Sequence, residues 1–341
     1  ATLVPPAALV LAVPGPSGEP FGSGSATLNA ILHVAEALSA RAGFSTINSE
    51  ASTAQQRTLV LHVGSASRGR CSAHPCLPKA FCSLPVRGSF DPYASLIDAT
   101  LVTLSRLFEG MPSGLCIAST DSMLLLPQDV AADAWLDLRH SCLVAVPSTL
   151  QQATHHGVCL PAAAHAADAA DDGAPPPPPP LRRILYRADE ATLGDACGDE
   201  EPLLYTGLTF LRAPLAEKLL ELHGSAPLDA TGYLGIDSGA APLRLELWSD
   251  LLTPLCDAAS EDDYVGGGSA DDARSAAARR VLWRVLRPLA PLRIARAPRG
   301  SRYCYATTPS EWSRDARELG AAVLQAEGGG STAAGCLECH V

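Results

Sequence analysis

Apolar residues in this chain come as short runs set between helical periods. Residues 7–13 form an apolar run and a Gly/Pro/Ser stretch follows to Ser25; Leu28, Leu32, Ala35 and Leu38 then recur at the spacing of one helix face. This predicts strand, glycine loop and helix. A second run over 58–63 ends at Gly64 and opens a polar loop that reaches Lys79, so the change from strand to glycine loop occurs twice. A helix over 93–108 precedes a third apolar run, 114–119, which stops on Thr120-Asp121, and a fourth run covers 141–147. Further apolar runs at 181–186 and 203–211, a helix at 214–223, a strand-like run at 243–248 leading directly to Asp250, and a helix at 276–286 complete the pattern. Strands alternating with helices argue for a parallel α/β sheet, whose ligands sit beyond the carboxyl ends of the strands. Asp121 lies at such an end.

Two stretches break the pattern. Residues 162–180 are Ala/Asp-rich and then hold six consecutive prolines, which form neither ladder nor helix; they predict a solvated polyproline II loop inserted at the surface, whose prolines would also suit another domain's groove. Residues 260–275 are acidic and glycine-rich and are expected to be mobile.

Composition narrows the classes. The chain has 341 residues, 47% of them hydrophobic, which is enough for one large domain or two ordinary ones. No uninterrupted apolar run reaches the roughly 18 residues of a membrane span, and the first 13 residues lack the basic flank of a secretory signal, so a cytoplasmic protein is expected. A first residue other than Met, and an end in mid-pattern at Val341, point to a piece of a longer gene product. The net charge of −11 opposes nucleic-acid binding. Small anions remain open as ligands, because backbone N–H groups at a glycine turn or helix start supply local positive potential.

Eleven cysteines are an odd number for a disulfide framework and read as reduced thiols. Cys71, Cys76 and Cys82, with His74 nearby, lack the paired spacing of a zinc site. Cys336-Leu337-Glu338-Cys339-His340 has the spacing of haem attachment but only one residue after it and no export signal before it.

The run Gly22-Ser23-Gly24-Ser25-Ala26-Thr27-Leu28-Asn29 stands before a helix, where consecutive backbone donors can cradle a phosphate; a plain loop with a helix cap would look similar. No Lys-Ser or Lys-Thr follows, so it is not a P-loop. It does resemble the Gly-Ser-Gly-Gly-x-Thr-Leu-Asn-Ala signature of the L-fucokinase and GDP-fucose pyrophosphorylase family, with Ser25 at the second paired glycine. The likeness continues in order. His62 and residues 64–79, ending in Lys79-Ala80-Phe81, resemble that family's second loop. Ser119-Thr120-Asp121, His155-His156-Gly157-Val158 and Tyr205-Thr206-Gly207 resemble its next segments. Residues 227–252, from Pro227-Leu228-Asp229 through Ile236-Asp237-Ser238-Gly239 to Asp250-Leu251-Leu252, are the longest match and are similar to the N-terminal half of L-fucokinases. Tyr303-Cys304-Tyr305-Ala306-Thr307 resembles the entry to the family's β-helical region.

The resemblance implies a nucleotidyltransferase-like, Rossmann-like mixed sheet flanked by helices over 1–295, carrying the insertion at 162–180, with the start of a C-terminal β-helix over 296–341. It implies transfer from a nucleoside triphosphate to a sugar 1-phosphate, GTP and L-fucose 1-phosphate being the expected pair. In that reading Gly22, Ser23, Gly24, Thr27, Asn29, Gly64 and Ser67 hold the nucleotide, Lys79 and Arg68 face phosphates, and His156, Gly157, Thr206 and Gly207 meet the sugar. Asp121 and Asp250 share Mg²⁺, and Lys79, Asp121 and Arg68 carry catalysis. Such a displacement is mostly positioning and charge neutralisation, so these residue types suit it. An Asp at a strand end serves equally well as a cap, and His156 as a core histidine. Two other functions stay open: the N-terminal part of an L-fucokinase whose ATP-dependent kinase domain lies beyond Val341, and a non-catalytic sugar-nucleotide-binding module. Ser25, Ser65 and Gly69 depart from the family pattern, and Ser65 crowds a turn that favours glycine.

Overall fold

The computed structural model describes residues 8–15, 21–45, 56–63, 79–81, 95–120, 122–127, 130–162, 177–267 and 273–305, without the side chain of Lys79. In chain order the elements are α1 (Ser23–Ala42), β1 (Arg57–His62), α2 (Leu96–Leu107), β2 (Gly114–Ser119), β3 (Met123–Leu125), β4 (Cys142–Pro147), α3 (Leu150–Ala153), β5 (Gly157–Pro161), β6 (Leu181–Tyr186), α4 (Glu190–Cys197), β7 (Leu203–Arg212), α5 (Ala213–Glu221), α6 (Tyr233–Asp237), α7 (Glu261–Gly266), α8 (Ala273–Leu286), β8 (Arg293–Arg296) and β9 (Arg302–Cys304).

Seven strands make one sheet in the order β1-β2-β7-β4-β8, with β5 and β6 joined to it through β7. The pairs β1–β2 and β4–β8 are parallel, whereas β7 runs antiparallel to β2, β4 and β5. The mixed sheet flanked by helices is therefore present, and the all-parallel sheet that alternation alone predicted is corrected. Alternation of element types carries no strand direction when the paired strands are not consecutive in the chain.

Both faces of the sheet are covered, which explains why its central strands read as unbroken apolar runs. On one face Leu115 and Ile117 of β2 and Leu143 of β4 pack with Leu28, Ile31 and Leu32 of α1, Leu215 and Leu219 of α5, and Leu282 of α8. On the other, Cys116 and Ala118 of β2 and Cys142, Val144 and Val146 of β4 pack with Leu104 and Leu107 of α2, Ala153 of α3 and Leu193 of α4. Among the described residues no helix is long and apolar enough to cross a membrane.

Several elements differ from the sequence pattern. Residues 8–15 are irregular and outward-facing, with Val10 74% exposed, because β1 has its ladder with β2 instead. The run at 243–248 forms no strand: it extends as far as Glu246 and then winds into a π-helical turn, Leu247–Leu252, whose start is held by the Glu246 N–H donating to Asp250 Oδ2 at 2.7 Å. Of the stretch 260–275 expected to be mobile, Ser260 caps α7, buried Tyr264 donates its hydroxyl to the Asp250 carbonyl at 2.6 Å, and Ala273 opens α8; residues 268–272 lie outside the described residues. The Pro-rich insertion leaves and rejoins the sheet at one place: Ala162 N–H donates to the Pro180 carbonyl at 2.8 Å, and Arg293 Nη1 donates to the Pro178 carbonyl at 2.7 Å. Within it, residues 163–176 lie outside the described residues. β9 pairs antiparallel with β3, so residues up to Tyr305 return to the carboxyl end of β2; residues 306–341, with Cys336, Cys339 and His340, lie outside the described ones.

His223 ties α1 to the segment after α5. Its Nε2–H donates to the Leu28 carbonyl at 2.9 Å, while Nδ1 is buried with no hydrogen-bond partner among the described residues. Burial pushes this imidazole down to about 4, outweighing the upward pull of the Leu28 carbonyl. The folded state thus takes up the proton less readily than the unfolded chain, and stability is lost as pH falls through the window between the unfolded value of about 6.5 and that lowered value. Chemical denaturation at a series of pH values should show a drop on the order of 3 kcal/mol across that window, from about 1.4 kcal/mol per pH unit. The His223→Gln variant should remove most of that slope.

Candidate active site at a break in the sheet

One edge of β7 is divided between two strands. β2 pairs with it from Arg212 to Thr209, and β5 takes over at Leu204 and Leu203. On the opposite edge β4 runs the whole length but shifts register, with Leu143 opposite Thr209 and Ala145 opposite Tyr205. Thr206, Gly207 and Leu208 of β7 therefore stand against the single residue Val144, a bulge that bends the strand where its neighbours change. Thr206 Oγ1 donates to the Val144 carbonyl at 2.8 Å and so satisfies a group the ladder leaves open. Gly207 has φ +82°, a conformation that favours glycine, and a Cβ there would lie 3.6 Å from Ser119 Cβ.

The carboxyl end of β2 and the amino end of β5 meet at this break. Ser122 Oγ donates to the Thr206 carbonyl at 3.4 Å. The N–H and hydroxyl of Thr120 both donate to the His62 carbonyl, at 3.0 and 3.1 Å, so the ends of β1 and β2 stay level. Thr27 Oγ1 donates to the Ser23 carbonyl at 2.9 Å and stands 2.9 Å from His62 Nε2, from which it then accepts. The structure therefore brings together Thr27, His62, Ser119-Thr120, His156-Gly157 and Thr206-Gly207 around this break.

On the far side of the break, the Arg187 N–H donates to the His156 carbonyl at 3.0 Å, extending the β5–β6 ladder by one step. The His156 ring meets Tyr303 and Tyr305 edge-on, with centroids at 5.4 and 5.7 Å. Gly157 is packed among Ile184, Tyr205 and Tyr186, whose nearest atoms stand 3.5 to 4.0 Å from where a Cβ would be, the distance of ordinary contact. Tyr186 stacks on Trp248 at 4.8 Å, and the Arg187 guanidinium lies 5.3 Å from the Tyr186 ring centre. Sequence reasoning missed Tyr186, Arg187 and Trp248. Tyr186-Arg187 at the end of an apolar run was the available signal; the stacking partner lies far off in the chain.

The glycine-serine run takes a different role from the expected phosphate cradle. Helix α1 begins at Ser23, with Gly22 at φ +71°, and its first donors are occupied by the extended segment before the π-turn. Gly24 and Ser25 N–H donate to the Leu245 carbonyl at 2.8 and 3.2 Å, and Ser23 N–H and Oγ donate to Glu246 Oε2 at 3.3 and 3.0 Å. Ser25, fully buried, donates to the Leu243 carbonyl at 2.6 Å and accepts from Leu245 N–H at 2.9 Å. The serine at this family position thus forms half of a clasp between α1 and residues 243–247. A Cβ on Gly22 or Gly24 would collide with the Leu245 or Glu246 backbone. Burial raises the Glu246 carboxyl, but Arg244 and Ser23 outweigh it and hold it below its ordinary value, so a carboxylate sits where a phosphate was expected. Thr27 and Asn29 are buried, and Asn29 Oδ1 accepts from Tyr233 N–H at 3.1 Å.

Asp250 is likewise engaged. One oxygen accepts from Arg279 Nε at 2.9 Å and the other from Glu246 N–H and from Ser249 Oγ. It locks the π-turn to α8, and this donor arrangement does not fit a ligand of Mg²⁺. Among the described residues there is no group of three or more His, Cys, Asp or Glu able to hold a metal ion. Gly64, Ser65, Ser67, Arg68, Gly69, Asp121 and the cluster Cys71, His74, Cys76 and Cys82 lie outside the described residues. Lys79 is placed by its backbone alone, opening a short helical turn that ends at Phe81.

A mixed sheet covered by helices on both faces, with hydroxyl and glycine residues gathered where its strands part, defines an α/β domain. The family model for the fucose pyrophosphorylase domain matches residues 51–317, and the chain belongs to that family. No curated protein matches. Among solved structures, UTP-bound UDP-glucose pyrophosphorylase from Acinetobacter baumannii is similar with a TM-score of 0.39 and 7% identity, over 80% of this chain and 98% of that one. CTP:phosphocholine cytidylyltransferase from Streptococcus pneumoniae gives 0.34 and 11%, over 77% and 99%. Another UDP-glucose pyrophosphorylase structure from Acinetobacter baumannii gives 0.30 and 9%, over 66% of this chain; the match spans 59% of that protein.

Two substitutions test this geometry. Gly207→Ala has room for its methyl group but must hold φ +82°, so chemical denaturation should show a loss of about 1–2 kcal/mol from backbone strain alone. Arg279→Leu leaves the buried Asp250 carboxylate without its cation and should cost about 3 kcal/mol in the same measurement.

Proposed function

We propose that this chain transfers a nucleotidyl group from a nucleoside triphosphate to a sugar 1-phosphate, GTP and L-fucose 1-phosphate giving GDP-fucose and pyrophosphate. Family membership supports the reaction class. The observation that carries the reading is the convergence of Thr120, His156-Gly157 and Gly207 at the break in the β7 edge. An oxygen of the sugar's phosphate forms a bond to the α-phosphorus, the bond from that phosphorus to its bridging oxygen breaks, and the electron pair leaves with pyrophosphate. In-line displacement requires nucleophile and leaving group on opposite sides of the phosphorus. The break has two banks that suit this demand: the ends of β1 and β2 on one side, and the β5–β6 end on the other.

In this reading the triphosphate lies along the first bank, where residues 64–79 follow β1; Gly64 and Ser67 supply backbone donors, and Arg68 and Lys79 neutralise charge. His156 and Gly157 face the sugar, with Gly207 between the banks. Thr206 contributes backbone only, its hydroxyl being bound to Val144. Asp121, directly after Thr120, is the carboxylate proposed for catalysis, and Mg²⁺ arriving with the triphosphate would be held from that strand end. Gly22, Ser23, Gly24, Thr27, Asn29 and Asp250 hold the scaffold.

Pyrophosphate release from GTP, L-fucose 1-phosphate and Mg²⁺ is the direct test. The wild-type chain should turn over, and Asp121→Asn should lower kcat by about 100-fold or more, the scale of losing a positioned electrostatic group. Equal rates from the two proteins, or no release from either, would overturn the reading.

A further inference from the structure

We infer that Arg187 is a substrate-binding residue that holds the phosphate of the sugar 1-phosphate, a phosphomonoester, on the β5–β6 bank. This inference rests on the proposed reaction and adds to it a residue outside the segments whose pattern marked the family.

Four observations carry it. Arg187 is the one non-glycine residue with positive φ among the described residues, at +49°. Such a conformation is costly for a residue with a β-carbon and persists only where the surroundings or function hold it. It occupies the step directly after β6, level with His156, whose carbonyl accepts its N–H. Its guanidinium lies over the ring of Tyr186, which stacks on Trp248 and pairs in register with Gly157 at the start of β5. Finally, the guanidinium forms no hydrogen bond or ion pair with a described residue, and Arg187 is exposed. In contrast, Arg139, Arg244, Arg279 and Arg296 all face carboxylates.

A solvent-exposed guanidinium on an aromatic support matches an oxyanion with several equivalent oxygens, which a phosphomonoester offers. Its bank decides which phosphate. The triphosphate is assigned to the β1–β2 bank, and the nucleophilic oxygen must reach the α-phosphorus from the other side, where β5 begins at Gly157 and Arg187 stands level with His156. Arg187 then anchors the attacking phosphate while one of its oxygens remains free to react.

Calorimetric titration of the whole chain with L-fucose 1-phosphate, and with L-fucose as the uncharged control, tests this directly. Arg187→Gly suits the purpose because glycine adopts φ +49° without strain, which offsets its greater freedom in the unfolded chain, so the variant should melt close to the wild-type temperature. Its Kd for L-fucose 1-phosphate should rise about tenfold or more, the scale of one lost charge-assisted contact, with L-fucose binding unaltered and the GTP KM within twofold. Arg187→Lys should recover part of the affinity. Affinity unchanged in Arg187→Gly, or no binding of the sugar phosphate by the wild type, would overturn the inference. Arg187-dependent binding without pyrophosphate release would keep this inference and overturn the proposed reaction; release with unaltered sugar-phosphate affinity in the variant would do the reverse.

Discussion

A β-strand has two edges, and the architecture follows from how β7 shares one of them. β4 occupies one edge from end to end, and the other is divided between β2 and β5. Two strands cannot pair with the same residues of a third along one edge, so the ladder must open where one replaces the other. The bulge at Thr206–Leu208 takes up the bend, with the Thr206 hydroxyl supplying the hydrogen bond that Val144 would otherwise lack. The opening is therefore a property of the sheet. It leaves strand ends, backbone groups and a glycine at one place without a separate loop domain to build the cleft.

The clasp between the first turn of α1 and residues 243–247 secures one side of that opening. Serine at position 25 gives and receives hydrogen bonds across the seam, and the Leu245 carbonyl and Glu246 carboxylate together take the helix-start donors that a free anion would use. The neighbouring π-turn carries Trp248 toward Tyr186 and turns Asp250 toward Arg279. One segment thus joins α1, α8 and the aromatic support of Arg187. Its buried carboxylate, buried hydroxyl and close glycine contacts leave few alternative packings, as satisfied buried polar groups tend to do.

Much of the fold was legible in the sequence because burial on both faces imposes unbroken apolar runs. β1, β2, β4, β6 and β7 coincide with such runs, and α1, α2, α5 and α8 with helical periods. β5 and β8 were missed, being short and lying beside the break and the sheet edge. Residues 7–13 and 243–248 looked like strands because apolar composition does not reveal whether a partner edge is vacant. The same limit applied to the site. Ordered motifs located Thr120, His156-Gly157 and Thr206-Gly207, which the fold does gather, but the glycine-serine run and Asp250 were assigned to ligands when protein partners already hold them.

By itself the sequence determined the family, the α/β class and the positions of most strand ends, since these rest on local composition, spacing and ordered motifs. Only the tertiary structure decided which polar groups face the opening and which are bound within the fold. That distinction depends on partners hundreds of residues apart, such as Ser25 with Leu243, and on backbone torsions, such as that of Arg187, which no residue type discloses.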